Sequence, residues 1–181
     1  MNRENKALLR IDGRQIYLRE ICFSDANKNY CRWLNNSQVN KYLESRFERW
    51  SSEKLKDYIK EIKRDNNHLF LAIIEKEGEK HIGNIKLGPI NRQHKFADIG
   101  VIIGDKDYWG KGFASEAIKL ITDYAFCTLK LHKLTAGAYK NNVGSIKAFK
   151  KNGFSIEGVR KNHYFYKSKY VDAVLLGILR K

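Results

Sequence analysis

Apolar residues recur in three consecutive short runs in the middle of the chain, separated by charged turns. The runs are HLFLAIIE (68–75), HIGNIKLGPI (81–90) and ADIGVIIG (97–104), and the turns between them are KEGEK and NRQHK. Runs of this length that are rich in Ile, Leu and Phe and bounded by polar turn residues are typical of β-strands. The pattern therefore predicts a meander of three strands.

Further strands are predicted on both sides of this meander. ALLRI and QIYLRE, within residues 7–20, are joined through Asp12-Gly13, a dipeptide suited to a hairpin turn. KLTAGAY (133–139) predicts a single strand. SIEGVRKNHYFY and YVDAVLLGIL, within residues 155–179, predict a closing hairpin.

Four segments instead repeat their apolar residues with helical spacing. Ser24 predicts the N-cap of the first helix, and Ser51 predicts that of the second. The third and fourth helices cover residues 112–129 and 143–151, and Gly153 follows the last of them as a C-terminal cap. The predicted order is therefore ββααβββαβαββ, without an internal repeat, a low-complexity tract or a linker.

The composition agrees with one globular domain. The chain has 181 residues, of which 43% are hydrophobic and 30% charged, enough for a single core. No apolar run reaches the roughly 18 residues that span a bilayer, and MNRENKALLR lacks the apolar stretch of a signal peptide. We therefore predict a cytoplasmic protein. Cys22, Cys31 and Cys127 lack metal-ligand spacing, so we expect reduced thiols and no metal.

Basic residues are concentrated toward the C-terminus. The formal net charge is +15, and residues 124–181 contain 12 Lys or Arg residues against only Glu157 and Asp172. Such an excess favours a polyanionic ligand, which could be nucleic acid, a nucleotide-linked substrate or a phosphorylated cofactor. A solvated basic surface explains it equally well, so the charge alone leaves both interpretations open.

The run DYWGKGFASE (107–116) places two glycines one residue apart, where a predicted strand meets a predicted helix. A P-loop is excluded, because the spacing from Gly104 is one residue too long and Gly112 occupies the hydroxyl position. A dinucleotide fingerprint would need a small third residue and an acid where Ser115 and Lys140 stand. What remains is a plain turn, or bare amides at a helix N-terminus that bind an anion.

Two motifs resemble those of one family. WGKGFA (109–114) resembles the coenzyme A pyrophosphate loop of the GCN5-related N-acetyltransferases (GNAT), written Arg/Gln-x-x-Gly-x-Gly/Ala. NVGSIKAFKKNGFSIEG (142–158) resembles the family's second signature, an Asn with Ser or Ala three residues later and then Gly-Phe. The likeness extends along the whole chain and is greatest to the subgroup of ribosomal-protein N-terminal (RimJ/RimL-type) and spermidine acetyltransferases.

The resemblance implies a fold and a donor. The fold would be α/β (α+β), a single domain over residues 1–181 with a central mixed, mostly antiparallel, splayed sheet of about seven strands flanked by about four helices. The donor would be acetyl-CoA, held by main-chain N–H groups at the splay and by the glycine loop. The lysines at 147, 150 and 151 could meet the adenosine phosphates or form a solvated helix face. The implied binding residues are Val101, Ile102, Ile103, Trp109, Gly110, Lys111, Gly112, Phe113, Ala114, Asn142, Ser145, Phe149 and Lys151.

The same resemblance suggests the catalytic groups. Asp98, where the subgroup usually has Glu, is the candidate general base. Many relatives have a Tyr as proton donor to the leaving thiolate, but this chain has Phe149 there, which cannot donate a proton. Either the thiolate leaves unaided, since a thiol has a pKa of about 8.5, or another hydroxyl replaces it. The candidates are Ser145 and Tyr139, followed by Tyr164 and Tyr166.

The acceptor is the least defined part of the resemblance. It implies direct attack by a primary amine in a ternary complex, at a pocket containing Trp33, Tyr42, Glu44, Arg46 and Phe47. We expect a protein N-terminal α-amine of the ribosomal type, with a nucleotide-linked amino sugar or other small amine as the alternative, because a net charge of +15 would repel a polyamine. A catalytically silent nucleic-acid-binding module is the alternative from another class. We expect a monomer or homodimer that binds neither a membrane nor nucleic acid.

Overall fold

The computed structural model describes residues 9–181, and one sheet of eight strands runs through them. The strands lie in the order β1-β2-β3-β4-β5-β6-β8-β7, and only β5 and β6 are parallel neighbours. Their bounds are β1 Arg10–Asp12, β2 Ile16–Glu20, β3 Leu69–Glu75, β4 Lys80–Leu87, β5 Phe96–Ile103, β6 Lys133–Tyr139, β7 Ser155–Tyr166 and β8 Lys169–Leu179.

Four helices cover the two faces of the sheet. They are α1 Lys28–Asn35, α2 Ser52–Arg64, α3 Phe113–Cys127 and α4 Val143–Lys151. The apolar sides of α3 and α4 pack on one face around residues such as Ile118 and Phe149, whereas Trp33 of α1 and Ile59 of α2 pack on the other. Within residues 9–181, no helix is long and apolar enough to cross a membrane.

The sheet opens between its two parallel strands. β5 pairs with β4 as far as Ile103, but it pairs with β6 only over residues 96–98. Main-chain groups of a strand alternate between its two edges, and Asp98 O and Gly104 N both bond toward the β4 side. The N–H groups of Val101 and Ile103 therefore point into the opening, while that of Ile102 points toward β4.

A partly buried ion pair between Arg19 and Asp25 anchors the segment that leads into α1. Arg19 donates two hydrogen bonds of 2.7 Å to the Asp25 carboxylate, and the Cys22 amide donates a third of 2.8 Å. Burial alone would raise the pKa of Asp25, but these donors outweigh it and lower the pKa from 3.8 to about 2. Because folding lowers this pKa, the charged form of Asp25 contributes to stability at neutral pH.

The fold predicted from sequence is confirmed. The sheet has the eight strands of the predicted element order, rather than the about seven that the resemblance implies. Ser51 caps α2 as expected, since its side chain accepts from the Lys54 amide, and Gly153 follows α4 with φ 84°. The prediction for Ser24 is wrong. It lies in a 3-10 turn, and Asn27 caps α1, because the bonds to Asp25 turn the chain before the helix begins. Residues 7 and 8 of the first predicted strand lie outside the described residues.

Candidate active site

The opening between β5 and β6 contains a cavity of about 660 Å³, here called the cleft. Its walls are the end of β5, the glycine loop and the first turns of α3 and α4. The structure brings most of the expected donor-binding residues together there: Val101, Ile102, Ile103, Trp109, Gly110, Gly112, Phe113, Ala114, Asn142, Ser145 and Lys151 all line it. Lys147 lines it as well, whereas Lys111 and Lys150 are absent from the lining.

The glycine loop is shaped for a close approach to its backbone. Gly110 has φ 74° and Gly112 has φ 91°, a left-handed conformation that side chains other than glycine rarely adopt. A Cβ at either position would meet no atom within 4 Å, so packing does not demand these glycines. Gly112 is also the N-cap of α3 and makes no side-chain cap. The first amides of α3 are therefore free to bind an anion.

The second signature forms the opposite wall. Asn142 caps α4, and its Oδ1 accepts from the Ser145 amide at 3.3 Å. Ser145 lines the cleft, and no residue between 9 and 181 forms a hydrogen bond with its hydroxyl. Phe149 requires a correction, because its ring is 2% exposed and packs edge-on against Phe154. It is a core residue and not a contact of the cleft.

A second cavity of about 610 Å³ lies on the α2 side of β5. It is called the acidic cavity here, because its lining includes four carboxylates and two lysines: Glu44, Glu48, Asp57, Glu61, Lys54 and Lys86. Leu43, Val101 and Ile102 line both this cavity and the cleft. The two cavities therefore meet at the strand whose free N–H groups face the cleft.

Two of the four carboxylates have partners that reduce their charge or orient them. Glu48 is paired with Lys54. Glu44 accepts a 2.7 Å hydrogen bond from the Tyr139 hydroxyl and forms an ion pair with Arg46 at 3.5 Å. Asp57 and Glu61 lie one turn apart on α2 and make no ion pair with any residue in the described part of the chain. These two remain available for a positively charged ligand.

Tyr139 belongs to an aromatic cluster beside the junction. Its ring stacks on Tyr164 with centroids 3.9 Å apart, and the guanidinium of Arg46 lies 5.2 Å from its centroid. Burial, followed by the hydrogen bond to Glu44, raises the pKa of Tyr139 to about 12. Tyr139 is thus a neutral donor that orients Glu44, and it lines neither the cleft nor the acidic cavity.

Other expected site residues occupy different places. Asp98 accepts a hydrogen bond from Thr135 Oγ1 and lines neither cavity. Trp33 is 4% exposed and lies in the core, and Gly104 is needed because a Cβ there would collide with its indole. Tyr42 lines the cleft. Of the five residues expected at the acceptor pocket, only Glu44 lines the acidic cavity, while Arg46 and Phe47 face a separate surface hollow.

Sequence reasoning missed most of the acidic cavity. Asp57 and Glu61 are spaced four apart beside the apolar stripe of α2, a pattern that is also typical of a solvated helix face. Asn84 and Lys86 alternate with buried apolar residues along β4, and alternation does not tell a cavity from solvent. Only the packing of α2 over the ends of β4 and β5 shows that these residues line a cavity.

Comparisons with known proteins agree on one family. A sequence model described as "Acetyltransferase (GNAT) domain" matches residues 15–155. The chain is 28% identical over 169 residues to the uncharacterized N-acetyltransferase p20 of Bacillus licheniformis, over 92% of this chain and 94% of that protein.

Two spermidine acetyltransferases are also similar. The Escherichia coli (strain K12) spermidine N(1)-acetyltransferase is 37% identical over 108 residues, which is 60% of this chain and 57% of that protein. A crystal structure of the Vibrio cholerae spermidine N-acetyltransferase in complex with CoA and spermine has a TM-score of 0.82 and 27% identity, and covers 92% of this chain and 96% of that one. Among residues 9–181 no cluster of three or more His, Cys, Asp or Glu could hold a metal ion.

Proposed function

Because the chain belongs to the GNAT acetyltransferase family, we propose that it transfers the acetyl group of acetyl-CoA directly to the primary amine of a small, positively charged acceptor. One observation carries the proposal. The cleft with the glycine loop and the acidic cavity meet at Leu43, Val101 and Ile102. An amine held in the second cavity therefore lies beside a thioester held in the first.

The donor side consists mainly of backbone. The amides at the start of α3 and the left-handed Gly110 and Gly112 hold a pyrophosphate, and the free N–H groups of Val101 and Ile103 hold and polarise the thioester carbonyl. Acetyl-CoA supplies an activated acyl group with a thiolate as leaving group. The Ser145 hydroxyl can donate a hydrogen bond to that sulfur, although it is too weak an acid to give up its proton.

The amine of the acceptor must lose a proton before it can attack the thioester. An alkylamine with a pKa of about 10.4 costs roughly 4.6 kcal/mol to deprotonate at pH 7, so a nearby base matters. Glu44 is the best placed carboxylate, because it follows Leu43 at the junction and Tyr139 fixes its Oε1. We assign the role of base to Glu44 rather than to Asp98, because Asp98 lines neither cavity.

Thiol release with a panel of amines tests the proposal. The panel contains peptides with free α-amines, nucleotide-linked amino sugars and polyamines. We expect small cationic amines to be turned over. Because Asp57 and Glu61 are exposed, removal of one of these carboxylates should cost about 0.2–1 kcal/mol and raise the acceptor KM roughly 1.5- to 5-fold. Asp57→Asn and Glu61→Gln are the variants. Glu53→Gln, on α2 but outside the cavity lining, is the control and should leave KM unchanged.

Several finer points remain predictions. The relatives named above give no support to a protein N-terminal acceptor of the RimJ/RimL type. If the enzyme turned over the peptides faster than the other amines of the panel, that result would favour a protein N-terminal acceptor over a small cationic amine. A nucleic-acid-binding module without catalysis would leave the glycine loop and the acidic cavity without a role. The cytoplasmic location and the choice between monomer and homodimer stay predictions.

A further inference from the structure

The floor of the acidic cavity contains a buried donor without a partner. Asn84 lines the cavity and is 2% exposed, and its Nδ2 has no hydrogen-bond partner in the described part of the chain. Buried polar groups are nearly always paired in folded proteins. An unpaired amide at the floor of a cavity can therefore donate a hydrogen bond to a ligand that enters the cavity.

The orientation of this amide follows from its neighbour. His81 Nε2 lies 2.9 Å from the Gly83 carbonyl and 3.0 Å from Asn84 Oδ1. Because both partners are acceptors, Nε2 carries the hydrogen and donates it. Turning the amide of Asn84 around would bring two donors together, so Oδ1 faces His81 and Nδ2 stays free.

A cation lies two residues farther along the same strand. Lys86 lines the cavity on the same face of β4 as Asn84, and no carboxylate between residues 9 and 181 forms an ion pair with it. Its neighbour across the sheet is Gly100, where a Cβ would meet no atom within 4 Å. The strand thus leaves open space next to a free ammonium and a free amide donor.

The wall opposite to this floor has the reverse character, since Asp57 and Glu61 are unpaired carboxylates. A ligand that is only cationic satisfies the wall but meets repulsion from Lys86 and leaves Asn84 unpaired. A ligand with both an ammonium and an oxyanion satisfies all four side chains. The cavity is therefore complementary to a zwitterionic molecule, which carries both a positive and a negative charge.

We infer that the acceptor carries an oxyanion, a carboxylate or a phosphate, which Asn84 and Lys86 hold while its amine faces the thioester. The inference rests on the proposed function. It narrows the substrate class from cationic amines to amines that also carry an anionic group. Lys86 is in this role a specificity-determining residue, because it favours the acceptor with the anion over the otherwise identical amine without it.

Matched pairs of acceptors test this choice. L-lysine and cadaverine differ by one carboxylate, and glucosamine 6-phosphate and glucosamine differ by one phosphate. For the pair that matches the natural anion, we expect kcat/KM of the wild-type enzyme to be roughly tenfold or more higher for the anionic member. The pair that shows the difference identifies carboxylate or phosphate as the source.

Substitutions then assign the preference to Lys86. In Lys86→Met the ratio within the matching pair should fall to about one, and Lys86→Arg should retain most of it, because a cation remains. Lys60→Met removes a lysine of α2 that does not line the cavity, and should leave the ratio unchanged. A general loss of charge or of stability would affect Lys60→Met as well, or would lower both members of a pair equally.

Each contrary outcome has one meaning. If the wild-type enzyme uses cadaverine and glucosamine as well as, or better than, their anionic partners, the inference is wrong while the proposed function stands. If the preference exists but survives in Lys86→Met, the assignment to Lys86 is wrong. If no amine of either panel releases thiol, the proposed function fails and the inference fails with it.

Discussion

The substitution Gly112→Ala should distinguish the role of the glycine loop in binding from its role in folding stability. Gly112 has φ 91°, so Gly112→Ala should cost about 1–2 kcal/mol of folding stability as left-handed strain. The Cβ meets nothing in the protein within 4 Å but occupies the approach to the first amides of α3. Loss of one charge-assisted hydrogen bond there should cost about 1.5–3 kcal/mol of binding free energy, or roughly 10- to 150-fold in affinity.

The assay compares two donors and two variants. Acetyl-CoA and S-acetylpantetheine share the thioester, but only the former has the pyrophosphate. We expect Gly112→Ala to raise the KM for acetyl-CoA roughly 10- to 150-fold. The KM for S-acetylpantetheine should stay nearly unchanged. Gly153→Ala is the matched control, because Gly153 also has a positive φ, 84°, but lies outside the cleft. It should lose stability without any change in either KM.

Two results would refute this reasoning. Unchanged acetyl-CoA kinetics in Gly112→Ala would mean that the pyrophosphate lies elsewhere. An equal loss with both donors would mean that the substitution disturbs the thioester site, and that strain rather than anion contact explains the glycine.

The remaining predictions concern charged and hydrogen-bonded groups. Asp25→Asn should lower the free energy of unfolding by about 2 kcal/mol at pH 7, because the pKa of Asp25 is lowered from 3.8 to about 2. Urea unfolding should find this contribution intact above pH 4 and lost as the pH falls toward 2, and an equally steep acid limb in the variant would contradict it. Glu44→Gln should reduce kcat roughly 100-fold as the loss of a base, whereas Tyr139→Phe, which removes only the 2.7 Å bond to Glu44, should reduce kcat about tenfold with KM unchanged. Since its pKa is raised to about 12, Tyr139 should remain a donor below pH 10 and lose this role only as the pH rises through its pKa. Asp98→Asn should change kcat/KM less than about threefold, and a drop of 100-fold would return the role of base to Asp98.

The fold was predictable because each element carries its own local signal. β6 and α4 begin and end at the residues that their sequence patterns indicate, Lys133–Tyr139 and Val143–Lys151. The start of α1 was not predictable in the same way, because Ser24 and Asn27 are comparable caps. The bonds of Asp25 to Arg19 and to the Cys22 amide accompany a 3-10 turn over residues 23–25, and the helix starts only after Asn27.

The cleft and the acidic cavity differ in how far the sequence predicts them, again because only one of them carries a local signal. The cleft consists largely of backbone at a strand-helix junction, so Gly110, Gly112 and Asn142, which line it, are recognisable in the sequence. The acidic cavity is assembled from α2, β4 and the segment before α2, which are distant in sequence and carry ordinary surface residues. Phe149 shows the limit of motif matching, because its position in the signature suggested a cleft contact while its apolar ring belongs to the core.

The net charge of +15 does not by itself decide the acceptor, because charges act locally. Screening at physiological salt has a length of about 8 Å, so a basic surface elsewhere contributes little inside a cavity whose own carboxylates touch the ligand. Three lysines, Lys41, Lys147 and Lys151, line the cleft, where a polyanionic donor would bind. The acidic residues Asp57 and Glu61 line the other cavity. The protein therefore separates its charges between its two proposed substrates, and the free Lys86 inside the acidic cavity is the exception that an oxyanion on the acceptor would explain.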